Sequence, residues 1–148
     1  MATKSGRIHD PNAILQDYDL YFNDQIVSTG YDAYQETIGM ITRQGTTVTI
    51  PEGVTRIGAS AFRNMGSMTK LIIPDTVTEI GNYAISSCNA ITEIYIPASV
   101  TTINANTFTA DNNLTVIKCG FSSGDVSGAP WGATNAVVTY DEDRPEGL

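Results

Sequence analysis

Histidine and tryptophan each occur once in these 148 residues, cysteine only twice, and lysine and arginine together number 8 against 16 acids. Each shortage narrows the function. A formal net charge of −8 argues against DNA or RNA as a partner, because nucleic-acid binders concentrate basic residues to displace counterions. The sole histidine, His9, has no constellation of catalytic partners around it, and a lone loop histidine is far more often incidental than part of a triad. Cys88 and Cys119 have neither metal-ligand spacing nor a partner base, so no metal site and no thiol nucleophile are expected; both are read as reduced, buried apolar fillers. Asp17, Asp19 and Asp24 form a fragment of an acidic cation loop, but the glycine and closing glutamate of an EF-hand are missing. No apolar run of about 18 residues exists, which excludes insertion of a membrane-spanning helix. The N-terminus lacks an apolar stretch of the roughly 7 to 15 residues that a secretory leader needs, so a soluble chain without a leader is expected.

What the sequence does contain is a repeat. Pro51, Pro74 and Pro97 stand 23 residues apart, closing "VTIP", "LIIP" and "IYIP". A fixed period between 20 and 50 residues signals stacked supersecondary units rather than a conventional core. The register holds in many columns at once: Val54, Val77 and Val100; Ile57, Ile80 and Ile103; Phe62, Ile85 and Phe108; Met68, Ile91 and Leu114; and Val48, Leu71, Ile94 and Ile117.

Apolar residues at alternate positions before each proline, such as Leu71 with Ile73, have the period of two of a strand with one buried face. Parallel copies stacked about 4.8 Å apart make a body on the order of 20 Å long. Proline lacks an N–H for the ladder, so each one reads as a strand exit. A second extended piece, "VTRIG", "VTEIG" and "VTTIN", lies across the coil, with Gly58, Gly81 and Asn104 at a bend that needs a permissive backbone. The stretch that follows is expected to make one helical turn. Two threonine columns, Thr46, Thr69, Thr92 and Thr115 and then Thr55, Thr78 and Thr101, read as hydrogen-bonded ladders along the stack. Cys119 falls in register with Ile50, Ile73 and Ile96, and Cys88 with Met65 and Asp111.

The flanks do not repeat. Residues 1–45 sum to −3, 46–119 to −1 and 141–148 to −3, so the acidity sits mainly outside the repeats, where it is most simply a solubility device. Residues 1–45 read as an N-terminal anchor and N-cap, with 27–47 a degenerate zeroth coil because Tyr31 and Tyr34 fall one period before Val54 and Ile57. Residues 46–119 are the repeats and 120–140 a C-terminal cap, with loop chemistry, Trp131 as a plug over the last coil, and an alternating "AVVTY" strand. Residues 141–148 read as a loosely held polar tail.

The pattern I-x-I-P-x-x-V-T-x-I-x-x-x-A-F, with its I-P at Ile50 and Pro51 and its closing F at Phe62, resembles the BspA-like class of leucine-rich repeat, and "GAPWGATNAVVTY" is similar to the cap that often closes such arrays. Ile85 for Phe, Asn104 for Gly and Thr107 for Ala are mild departures. The resemblance implies a leucine-rich-repeat solenoid of 23-residue coils with short parallel β-sheets, helical turns, a non-repeat N-terminal segment and a C-terminal cap. It implies no chemistry and no cofactor. Long arrays with leaders belong to bacterial surface adhesins, and short ones also occur in phage tails and other virion components. The expectation is therefore a non-enzymatic structural or attachment component of a phage virion, in tail or baseplate. Its partners would be other virion proteins, further copies of itself, or a host surface protein or glycan. The alternative is a secreted or cell-surface adhesion module.

Two surfaces are singled out. If Leu71 and Ile73 point inward, the same register exposes Thr49, Lys70, Ile72, Glu93, Tyr95, Val116 and Lys118 on one face, with Ile72 and Tyr95 as its apolar centre. The bland counter-reading is that strands favour Ile and Tyr on either face. In the N-terminal segment Ile14, Leu15, Tyr18, Leu20, Tyr21 and Phe22 are the candidate assembly anchor.

Overall fold

Val48 with Ile50, Leu71 with Ile73, Ile94 with Ile96 and Ile117 with Cys119 are all buried, one apolar pair per coil. The structure, a computed structural model, describes residues 20–22, 25–28, 42–44, 47–50 and 52–148. Its strands are β1 (Leu20–Phe22), β2 (Gln25–Ser28), β3 (Thr42–Gln44), β4 (Thr47–Thr49), β5 (Val54–Ile57), β6 (Lys70–Ile72), β7 (Glu79–Ile80), β8 (Glu93–Ile96), β9 (Thr102–Ile103), β10 (Val116–Cys119) and β11 (Val137–Thr139). β4 pairs with β6 in parallel, Val48 opposite Leu71, and β8 with β10, Ile94 opposite Ile117. Across the coil β5, β7 and β9 form a second parallel line, Ile57 beside Ile80 beside Ile103. The result is a parallel-strand solenoid of about four turns, spaced 23 residues apart.

At the N-terminal end β1 runs antiparallel to both β5 and β2, which completes a five-stranded sheet in the order β2-β1-β5-β7-β9. β3 runs antiparallel to β4, so residues 42–44 enter as one arm of a hairpin rather than as a parallel zeroth coil; Tyr31 and Tyr34 lie outside the described residues.

The expected helical turn is not formed. Residues 59–64, 82–87 and 105–110 are successive tight turns, with Ser60, Asn64, Tyr83, Ser87 and Ala110 at φ of 60°, 66°, 57°, 59° and 67°. Alternate N–H groups explain why. Ala61 and Arg63 donate locally to Gly58 and Ser60, while Ser60, Phe62 and Asn64 donate to Asn82, Ala84 and Ser86 of the next coil. A helix would turn all of these donors inward along its own axis and leave the neighbouring coil's carbonyls without partners. Gly81 is also not where the expectation put its need. A Cβ there would lie 2.8 Å from the Ala59 nitrogen, so the requirement is close approach between coils rather than an unusual dihedral.

The threonine ladders form, with backbone as acceptor: Thr78 Oγ1 donates to the Thr55 carbonyl at 3.1 Å, Thr101 to Thr78 at 3.3 Å and Thr115 to Thr92 at 3.4 Å. Thr107, where the other coils have Ala61 and Ala84, is fully buried and shares its hydroxyl proton between the Gly81 and Asn104 carbonyls.

Phe62, Ile85 and Phe108 stack in the core, and Trp131, also 23 residues on, extends the column. Its carbonyl accepts from the Phe108 N–H at 2.9 Å, its indole donates to Ser127, and Phe121 meets it edge-on. The cap is thus a further coil in which Val126 lies one period after Ile103 and β11 pairs in parallel with β10.

A buried carboxyl interrupts one of the apolar columns. Asp111, in register with Met65 and Cys88, is 3% exposed; one carboxyl oxygen accepts the Cys88 N–H at 2.7 Å and the other has no partner. Burial pushes its pKa from 3.8 up to about 7, against the pull of the Cys88 and Ser87 amides.

Two predictions follow from the core. Phe108→Ala removes a fully buried ring and is expected to cost ~3–5 kcal/mol in denaturant unfolding; a loss below ~1 kcal/mol would mean that the column is not packed as described. Because burial raises the folded-state pKa of Asp111, its contribution is present at low pH and lost as pH rises from about 4 through about 7. Asp111→Asn keeps an acceptor for Cys88 and cannot ionise. It is expected to melt several degrees above the parent at pH 8 and to show no such advantage at pH 4, since a tenfold shift in proton affinity is ~1.4 kcal/mol.

Candidate binding face

Two outward columns run across the short sheets. Thr49 stands opposite Ile72 and Tyr95 opposite Lys118; Thr47 stands opposite Lys70 and Glu93 opposite Val116. The seven residues singled out from the sequence are therefore brought onto one side of the stack. Lys70 is exposed, Thr49, Ile72, Glu93, Val116 and Lys118 are partly exposed, and Lys118 Nζ reaches Glu93 at 3.3 Å. Tyr95 differs. It faces outward yet is only 6% exposed.

The residues that cover Tyr95 come from 141–148. This tail is a strap laid over the sheet, not a loose end. After β11 the chain is tied at Asp141, whose N–H donates to Phe121 and whose carboxylate accepts from Ser122, and at Glu142, whose N–H donates to Cys119. The Tyr95 hydroxyl donates to the Glu142 carbonyl at 3.3 Å. The Arg144 guanidinium then lies 4.8 Å from the Tyr95 ring centroid, donates to the Ile73 carbonyl and the Asp75 carboxylate at 2.7 Å each, and reaches the main-chain oxygen of Leu148. Burial pushes the Tyr95 phenol above its ordinary range, and Arg144 opposes it.

Prolines explain why an arginine is needed there. Where Gly120 follows β10, its N–H donates to the Ile96 carbonyl of the preceding coil at 2.8 Å. Pro97 occupies the equivalent place one coil earlier and has no N–H to offer Ile73. β6 and β8 lie side by side in separate sheets, and Arg144 supplies the Ile73 carbonyl with a donor while bridging the coils on either side of the gap. Gly120 also leaves room for the phenol, since a Cβ there would sit 2.5 Å from the Tyr95 hydroxyl. Sequence reasoning missed Arg144; the signal was a solitary base in an acidic octapeptide, set against a proline column that leaves carbonyls without ladder donors.

Of the candidate anchor, Leu20, Tyr21 and Phe22 are placed on β1, where their backbone joins the solenoid's own sheet. Ile14, Leu15 and Tyr18 lie outside the described residues, as do His9, Asp17, Asp19 and Asp24.

The BspA type leucine-rich repeat region matches residues 40–126 in six copies, more than half of the chain. The chain belongs to the BspA type leucine-rich repeat family. No curated protein and no solved structure matches it. A leucine-rich-repeat solenoid is typically a non-enzymatic scaffold for protein interaction. Burial pushes the Cys88 and Cys119 thiols to about 12, which removes them as nucleophiles near neutral pH. Among the described residues no group of three or more His, Cys, Asp or Glu is placed to hold a metal, and no helix is long and apolar enough to cross a membrane.

Arg144→Ala is expected to accelerate hydrogen exchange in 141–148 and at Tyr95 by tenfold or more. Arg144→Lys should rescue little of this, because an ammonium lacks the planar fork that reaches several acceptors at once. Unchanged exchange in the alanine variant would show that the strap is held elsewhere.

Proposed function

We propose that this leucine-rich-repeat chain is a non-catalytic interaction module, a structural or attachment component of a phage particle in its tail or baseplate. In this reading the outward face of the short sheets is presented to a partner and the N-terminal residues before β1 dock to the particle. One observation carries the binding reading. The stack absorbs its aliphatic and aromatic columns in the core, whereas Thr49, Lys70, Ile72, Glu93, Val116 and Lys118 line up coil upon coil on a surface with open hollows on both sides of the strap. Contiguous side chains that packing does not need are the usual material of a recognition surface. We favour the particle setting because short arrays of this repeat also occur in phage tails and other virion components. Its partners are then other virion proteins or further copies of the chain.

A photo-crosslinking residue placed at Thr49, on this face, and at Thr101, just before β9 of the opposite sheet, tests the reading in producing cells. Adducts to a virion protein in purified particles are expected from position 49 and not from position 101. Adducts confined to the bacterial envelope would replace the particle setting with surface adhesion, and equal yields from both positions would refute the choice of face.

A further inference from the structure

The Arg144 site is built from parts that repeat. Besides the main-chain oxygen of Leu148, which has no counterpart in the repeat, its acceptors are the Ile73 carbonyl and the Asp75 carboxylate, and its apolar wall is Tyr95 on the next coil. Subtracting one 23-residue period gives Ile50, Glu52 and Ile72. Pro74 stands to Ile50 as Pro97 stands to Ile73, so it too has no N–H for the carbonyl before it. Where the first set holds a guanidinium, the second opens on a hollow of about 270 Å³ lined by Thr49, Ile50, Glu52, Ile72 and Asp75, with Arg144 as its far wall.

The geometry points to a second guanidinium subsite at Ile50, Glu52 and Ile72, which takes an arginine from an extended segment of a partner protein. The assignment rests on the reading of this face as an interaction surface and names the chemistry that the face recognises. Three observations support arginine. The filled copy one coil away shows that a main-chain carbonyl, a carboxylate and an outward side chain at this spacing accept a planar fork, which a lysine cannot supply. The hollow has room for a guanidinium and its stem. The Asp75 side chain, 74% exposed, lines the hollow and also contacts Arg144, so with Glu52 two carboxylates face two cations and the like-charge repulsion is offset. Ile72 in place of Tyr95 leaves the apolar contact but removes the cation–π attraction, consistent with a site that a partner occupies reversibly.

The probe is a capped Gly-Arg-Pro-Gly peptide, titrated into the isotope-labelled full chain and followed by amide chemical shifts. Saturable shifts are expected at the non-proline residues of 49–53 and 72–76 with a millimolar Kd, and none with the neutral citrulline analogue. Glu52→Gln, a change at an exposed position, should weaken binding severalfold. Ile72→Tyr, which recreates the ring of the filled site, should tighten it about fivefold. The proposal is overturned if citrulline binds equally, if Glu52→Gln has no effect, or if the shifts fall at 141–148 and Tyr95, which would mean that the peptide only displaces the strap. A null titration removes the subsite alone, since crosslinking from Thr49 does not depend on arginine.

Discussion

A backbone N–H or carbonyl in this stack has two kinds of partner, a residue three away in its own coil or a residue about 23 away in the next. The turns show the constraint most plainly: Ser60, Phe62 and Asn64 point their N–H groups at Asn82, Ala84 and Ser86, while the residues between them bond locally. Each such bond contributes only about 1 kcal/mol net, but one left unmade in a buried place costs more than that. A coil is therefore unstable without a neighbour, and the column residues Phe62, Ile85, Phe108 and Trp131 can pack only when the backbones are in register. Side chains extend the rule, since Thr78, Thr101 and Thr115 each donate to a carbonyl one coil back.

Proline breaks that rule at one column and so shapes the outer face. Pro97 cannot complete the ladder to Ile73, and the chain answers with Arg144, brought in by a strap from beyond the last strand. Gly120, the residue in the same column one coil later, restores the backbone bond. A surface that sequence periodicity makes look uniform is thereby divided. Tyr95 is covered and held, whereas Ile72, one coil away, borders an open hollow.

Period, strand register and core were legible because identical positions recur: Val48, Leu71, Ile94 and Ile117 identify one another without any structure. The inward place of Cys119 followed from the same arithmetic. What the sequence could not show was non-repeating or hidden in backbone geometry. The turn residues Ser60, Tyr83 and Ala110 are not glycines, so their positive φ has no compositional sign. Arg144 occurs once and acts across 71 residues of sequence on a carbonyl, which no periodicity reveals. Tyr95 was expected to be exposed on the outward face and is instead buried, because the strap covers it.

The most direct test is measurement of through-hydrogen-bond scalar couplings in the isotope-labelled full chain. Couplings are expected from the Phe62 amide to the Ala84 carbonyl, from Gly120 to Ile96, and from the Arg144 guanidinium to Ile73. A coupling from Phe62 to Gly58, the signature of a helix, or an Ile73 carbonyl coupled to no side-chain nitrogen would contradict the account.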